Sequence, residues 1–143
     1  MTQTPSSVAR TPGTGINAAA VLIGGAAGAL CRFGGNIAIM DMIRGPFPLG
    51  ILVINVAGGF LMGLLQGAIK RSGSPHTLLY NLLGTGFLGG FTTFSTFSID
   101  TFHLYASGSV MSAALNIILN ACLAIAAAGI GYGIFIKREA PRE

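Results

Sequence analysis

The sequence predicts an all-α membrane protein of four transmembrane helices, with the third helix broken near its middle. Three observations carry that expectation. The 143 residues include only 8 Lys/Arg and 4 Asp/Glu, so 8% are charged, where a soluble domain has roughly 25%. Apolar side chains make up 52% and mean hydropathy is +0.72. The few charges fall between long apolar stretches rather than within them. A chain this poor in charge cannot cover a water-facing surface, which excludes a soluble globular domain. Its apolar content excludes disorder. The 22 Gly have no G-X-Y period, so collagen is excluded too. High Gly fits membrane helices, where small residues let backbones approach.

Residues 1–15 are rich in Ser, Thr and Pro and read as a disordered tail. They lack the basic segment and cleavage site of a removable signal peptide. A transmembrane domain follows over 16–136. Its first span runs from Ile16 to Met40, interrupted only by Arg32. The second runs from Leu49 to Ile69, between Arg44 and Lys70. The third runs from Thr77 to Leu104 and carries Asp100 and His103 near its end. The fourth runs from Val110 to Ile136, and 137–143 form a C-terminal tail. Each span reaches the ~20 residues needed to cross a ~30 Å hydrocarbon core as helix. The connections are short and carry Gly, Pro and Ser, which break helices.

Four spans put both ends of the chain on one side of the membrane. Arg10, Lys70, Arg71, Lys137, Arg138 and Arg142 share that side, and only Arg44 and Arg32 can lie towards the other. The positive-inside rule then places both termini in the cytoplasm, with the chain in the plasma (inner) membrane. The net charge of +4 is therefore loop anchoring. It forms no stripe of the kind that binds nucleic acid. Cys31 and Cys122 lie in apolar stretches and are expected as buried small hydrophobes.

Polar groups inside a span need a partner or water, so function is sought there. Arg32 either snorkels to the interface or sets a fixed positive charge, at an anion entry or in an ion pair with Asp100. Asn55 sits in the middle of LGILVINVAGGFLMG, as a bundle-forming hydrogen bonder or a pore donor. Gly24 and Gly28, Gly59, Gly63 and Gly67, and Gly129 and Gly133 recur at four-residue spacing and read as packing faces.

The third span, LLGTGFLGGFTTFSTFSID, concentrates Gly84, Gly86, Gly89 and Gly90 with Thr92, Thr93, Ser95, Thr96 and Ser98. Such a helix is expected to break near Gly89 to Thr92, and the freed carbonyls must then be satisfied. Carbonyl oxygens in that setting suit a small hard cation such as Na⁺. Phe91, Phe94 and Phe97 recur every third residue, on one face of a continuous helix. They would serve as packing, or their electropositive edges would line an anion path. Asn116 and Asn120, one turn apart in the fourth span, bond a partner helix or line an aqueous path. No Glu lies in any span, and no metal cluster, catalytic set or phosphate loop is present. That disfavours an enzyme and a proton-driven exporter.

GGAAGALCRF with Arg32, LGILVINVAGG with Asn55, and GFLGGFTTFSTFSID from Gly86 to Asp100 resemble the three signatures of the Fluc (CrcB-type) fluoride channels. The resemblance spans about Gly24 to Asp100, in order and spacing. It implies a subunit of an antiparallel dimer with two narrow pores that passively export cytoplasmic fluoride and protect the cell from its toxicity. By position it implies a structural Na⁺ on the main-chain carbonyls of Gly89 and Thr92. It implies fluoride contacts from Phe94, Phe97 and Asn55, with Thr93, Ser95 and Thr96 nearby. No organic cofactor is implied. Many members carry a Tyr and a Ser in the fourth helix where this chain has Asn116 and Asn120. The Lys/Arg bias further suggests pairing with an oppositely biased paralogue, against the alternative of an inverted homodimer. Two other readings are a small four-helix multidrug-type exporter and a non-conducting partner subunit of a heterodimeric channel.

Overall fold

The structure is a computed structural model that describes residues 13–73 and 77–136. Nearly all of both tails, with Arg10, Lys137, Arg138 and Arg142, falls outside the described residues, as does His76. Helix α1 spans Thr14–Ile43 and already includes the end of the expected tail. Helix α2 spans Leu49–Ser72. A short α3 (Thr77–Tyr80) runs into a π-helical stretch, Asn81–Leu88, and then into α4, Gly89–Phe91. Helix α5 spans Phe94–Ala106 and α6 spans Val110–Ile136. The chain is all-helical, with no strand among the described residues. Three helices, α1, α2 and α6, are long and apolar enough to cross a membrane.

Local chemistry sets the ends. Arg44 closes α1 in the left-handed conformation, its N–H bonded to the Met40 carbonyl at 2.8 Å. Gly73 takes the same left-handed conformation, at φ 63°, beyond α2. Lys70 and Arg71 occupy the last turn of α2, where cations meet the negative end of the helix dipole. Thr93 caps α5, its side chain accepting from the Thr96 N–H at 3.2 Å.

Packing is backbone against backbone. Along α2, Gly59, Gly63 and Gly67 face the α6 backbone at Ala124, Ala128 and Tyr132. From α6, Gly131 returns the contact at Phe60 and Leu64. Gly24 and Gly28 of α1 lie against the backbone from Leu82 to Phe91. The packing glycine of α6 is thus Gly131, and the expected pair Gly129 and Gly133 meets nothing within 4 Å. Rotation about the helix axis, which spacing alone does not give, decides between them. Cys31 and Cys122 are free thiols that face outward, not buried as expected. In a chain whose surroundings are apolar, a small hydrophobe is as well placed outside as in.

These contacts predict contrasting effects of one added methyl. Gly63→Ala would push into the Ala128 carbonyl and the Tyr132 amide, a destabilisation of about 1–3 kcal/mol. Gly129→Ala should leave stability unchanged. Recovery of monodisperse protein by size exclusion after stepwise heating in detergent measures both.

Candidate functional site

The helical path stops after Phe91. Thr92 (φ −80°, ψ 158°) and Thr93 (φ −151°, ψ 126°) are extended, and α5 starts at Phe94. Two extended residues release backbone groups that a helix would have paired. Asn55 of α2 takes up Thr93 from both sides. Its Oδ1 accepts the Thr93 N–H at 3.0 Å, and its Nδ2 donates to the Thr93 carbonyl at 3.2 Å. Gly58, one turn on, leaves the space that the Thr92 methyl fills.

A run of side-chain amides continues from Asn55. Its Nδ2 also donates to Asn120 Oδ1 at 3.0 Å. Asn120 Nδ2 donates to the Asn116 carbonyl at 3.1 Å and to Asn116 Oδ1 at 3.0 Å. Asn116 Nδ2 donates to Thr101 Oγ1 at 2.8 Å, and that hydroxyl donates to the Phe97 carbonyl at 2.7 Å. One chain of hydrogen bonds thereby ties α2, α6 and α5. On the other flank Thr93 Oγ1 bonds Ser95 Oγ at 3.1 Å and Thr96 Oγ1 at 3.2 Å.

Arg32 spans the interruption from α1. Its Nε donates to the Gly90 carbonyl at 3.1 Å and its Nη1 to Thr96 Oγ1 at 3.4 Å. The first acceptor lies before the extended pair and the second after it. Of the alternatives for Arg32, the ion pair with Asp100 does not form, because the guanidinium is held towards these two acceptors. Planar, multi-donor Arg suits a double task of this kind.

Beside the extended pair lies an open cleft of about 710 Å³. Asn55, Gly89, Thr92, Thr93, Phe94, Phe97 and Asn120 contribute to its wall, with Gly58, Gly59, Met62, Leu88, Ile117, Ala121 and Ala124. No charged side chain is among these. The Phe94 and Phe97 rings tilt against each other with centroids 5.5 Å apart. Phe94 is 79% exposed, so one chain leaves it uncovered. Phe91 is not part of a continuous aromatic stripe: the extended pair separates it from Phe94, and it stacks on Phe87 at 5.9 Å.

Of the residues singled out from sequence, Asn55, Gly89, Thr92, Thr93, Phe94, Phe97 and Asn120 meet at the cleft. Ser95 stands off its wall, exposed and bonded to Thr93. Asn116 is likewise off the wall. It is 1% exposed and bonded to Thr101 of α5 and Asn120 of α6. Sequence reasoning missed Thr101 and Gly58. Thr101 sits four residues after Phe97 and is detectable as a hydroxyl in an apolar span. Gly58 carries no signal of its own beside Gly59.

Comparison with known proteins gives the family. A family model described as CrcB-like protein, Camphor Resistance (CrcB), matches residues 19–132. The chain belongs to the CrcB family. A relative from Coxiella burnetii (strain Dugway 5J108-111), named fluoride-specific ion channel FluC, is 40% identical over 125 residues, covering 87% of this chain and 99% of the relative. One of the same name from Pseudoalteromonas translucida is 37% identical, covering 82% of this chain and 98% of the relative. Another from Methylococcus capsulatus is 42% identical over 112 residues, covering 78% of this chain. This chain spans 49% of that Methylococcus relative's length. As a CrcB-family chain with three long apolar helices, it is a multi-pass membrane protein.

The geometry makes the Asn55 side chain structural as well as accessible. Asn55→Ala would strip the Thr93 N–H and carbonyl of their partner, at a cost of about 1–3 kcal/mol for each buried group left unpaired. Lower thermal stability and faster amide hydrogen exchange at Thr93 are the expected outcomes.

Proposed function

We propose that this CrcB-family chain is a subunit of a passive, fluoride-selective channel that lets cytoplasmic fluoride leave the cell. The observation that carries the reading is the cleft beside Thr92 and Thr93. Its wall includes the amide residues Asn55 and Asn120, the hydroxyl residues Thr92 and Thr93 and the aromatic Phe94 and Phe97, without a charged side chain. Weak donors of this kind favour entry of a small anion without trapping it, which conduction requires. The names of the relatives point to the same ion. In this reading the segment from Thr77 to Ala106 makes a third membrane crossing, broken at the extended pair. Asn55, Phe94, Phe97, Thr93 and Asn120 face the ion path, and Ser95 and Asn116 support it from behind.

A second subunit completes the site. Phe94 and Gly89 are exposed on one chain yet border the cleft, and an inverted partner would cover them. The donor set also suits a structural Na⁺. The Thr93 N–H goes to Asn55 instead of the Gly89 carbonyl, and the Thr96 N–H goes to Thr93 Oγ1 instead of the Thr92 carbonyl. The interruption thus frees the Gly89 and Thr92 carbonyls, which fit a small hard cation. A bound Na⁺ would supply a fixed positive charge among these dipoles. Two carbonyls leave coordination sites for a partner to fill. The basic bias of one side of the sequence supports cytoplasmic termini in an inner membrane and an oppositely biased paralogue as partner.

Three outcomes test this reading. Liposomes holding the purified chain, with its paralogue if pairing needs one, should release fluoride down a gradient and far less chloride. Absence of fluoride release in both formats refutes the channel. Phe94→Ile or Phe97→Ile should cut release by about tenfold, a barrier change of ~1.4 kcal/mol, with the assembly still intact on size exclusion. Replacing Na⁺ by a bulky organic cation on both sides should lower release, and unchanged release would remove the Na⁺ site.

A further inference from the structure

The amide run from Asn55 has a fixed direction. Its ends are backbone groups that cannot change roles. At one end the Thr93 N–H can only donate, so the Asn55 atom facing it is the oxygen and Nδ2 faces Asn120. Asn120 must then offer its oxygen to Asn55. Its Nδ2 turns to the Asn116 main-chain carbonyl, which can only accept. Every donor in the run points from α2 towards α6 and on to Thr101. Such relayed bonds polarise one another.

This direction decides what Asn55 has to offer. A side-chain amide carries two N–H donors. One is used on the Thr93 carbonyl and the other on Asn120 Oδ1. Asn55 therefore has no idle donor for an ion in the cleft. An anion that takes a hydrogen bond from Asn55 has to displace an acceptor. The Thr93 carbonyl is held in place by the reciprocal pair, so the acceptor that yields is Asn120 Oδ1. Asn120 is itself 6% exposed and anchored by two bonds to Asn116. It stays close and reclaims the donor when the ion moves on.

We propose that Asn120 is a positioning residue that competes with the permeating anion for the Asn55 amide. Its oxygen sets the direction of that amide and loosens the ion's hold on it. This rests on the fluoride-channel reading above. It assigns to this chain's fourth-helix amide a role separate from contact with the ion. No covalent bond changes and no proton moves: a neutral acceptor gives way to the anion, and the site carries the ion's charge only while the ion is there.

The test is the concentration dependence of fluoride release from liposomes, measured on the unaltered protein and on variants. Asn120→Leu keeps the bulk and removes the competing oxygen. The half-saturating fluoride concentration should fall by about tenfold, the change expected from one hydrogen bond of ~1.4 kcal/mol. The maximal rate should fall with it, because a tighter site empties more slowly. Asn120→Asp keeps an acceptor and adds negative charge, so its half-saturating concentration should not fall. If Asn120→Leu does not assemble, Asn120→Ser is too short to reach Asn55 and should show the same fall. Loss of rate with an unchanged half-saturating concentration in the assembled variant makes Asn120 a packing residue and overturns the proposal. An unaltered protein that releases no fluoride overturns the channel reading and this one together. An unaltered protein that conducts, beside a variant with no shift, overturns this one alone.

Discussion

Asn55 holds the Thr93 backbone from both sides, and the extended pair between α4 and α5 depends on that hold. Backbone groups freed in apolar surroundings cost several kcal/mol each unless they are bonded again. Water does this in a soluble protein. Here a single side-chain amide copies what a neighbouring strand would do, giving one donor and one acceptor to one residue. Arg32 and the Thr93 hydroxyl bond further groups on either flank. The irregular chain therefore stays irregular in one defined way, and the cleft beside it keeps its shape.

The reach of Asn55 is set elsewhere. A side chain with one methylene spans the gap only if α2 and the extended pair are close, and Gly58 of α2 allows that closeness by making room for the Thr92 methyl. Gly59, Gly63 and Gly67 bring α2 onto α6, while Gly24 and Gly28 bring α1 onto the π-helical stretch. Backbone-to-backbone contact leaves no flexible side chain to adjust. The distances in the polar network depend on a frame with little slack, and the frame is built from residues that contribute no polar chemistry.

Much of this is legible in the sequence, for physical reasons. The three long helices are marked by charge scarcity, because a charged side chain is costly in a span and so falls at its boundary. Asn55 is conspicuous as the amide in the middle of an apolar span, where Gln66 lies near the end. The features that composition hides depend on rotation and direction. Gly131, not Gly129 or Gly133, faces α2 because of where α6 is turned. Arg32 turns to Gly90 and Thr96, because nearby acceptors outweigh a distant charge that sequence depth alone matches to it. Asn116 and Asn120 read as a pair in sequence, but in space one lies behind the other. The π turns leave no trace at all, since a change in hydrogen-bond register requires no particular side chain.

Those π turns constrain the chain in another way. An α-helix advances about 100° per residue, so the eight residues from Asn81 to Leu88 act as a spacer that sets the rotational phase of α4 and the extended pair. Deleting one of them would let the turns tighten to ordinary helix with little local strain. Because the wider turns advance less per residue, that tightening takes up the loss, and Gly90 and Thr92 stay near Gly25 and Gly58. A substitution at Gly86 has no such slack, since an added Cβ would meet the Val21 carbonyl and the Gly24 backbone. The stretch before the cleft thus holds slack in its length and little in the identity of its packed glycines.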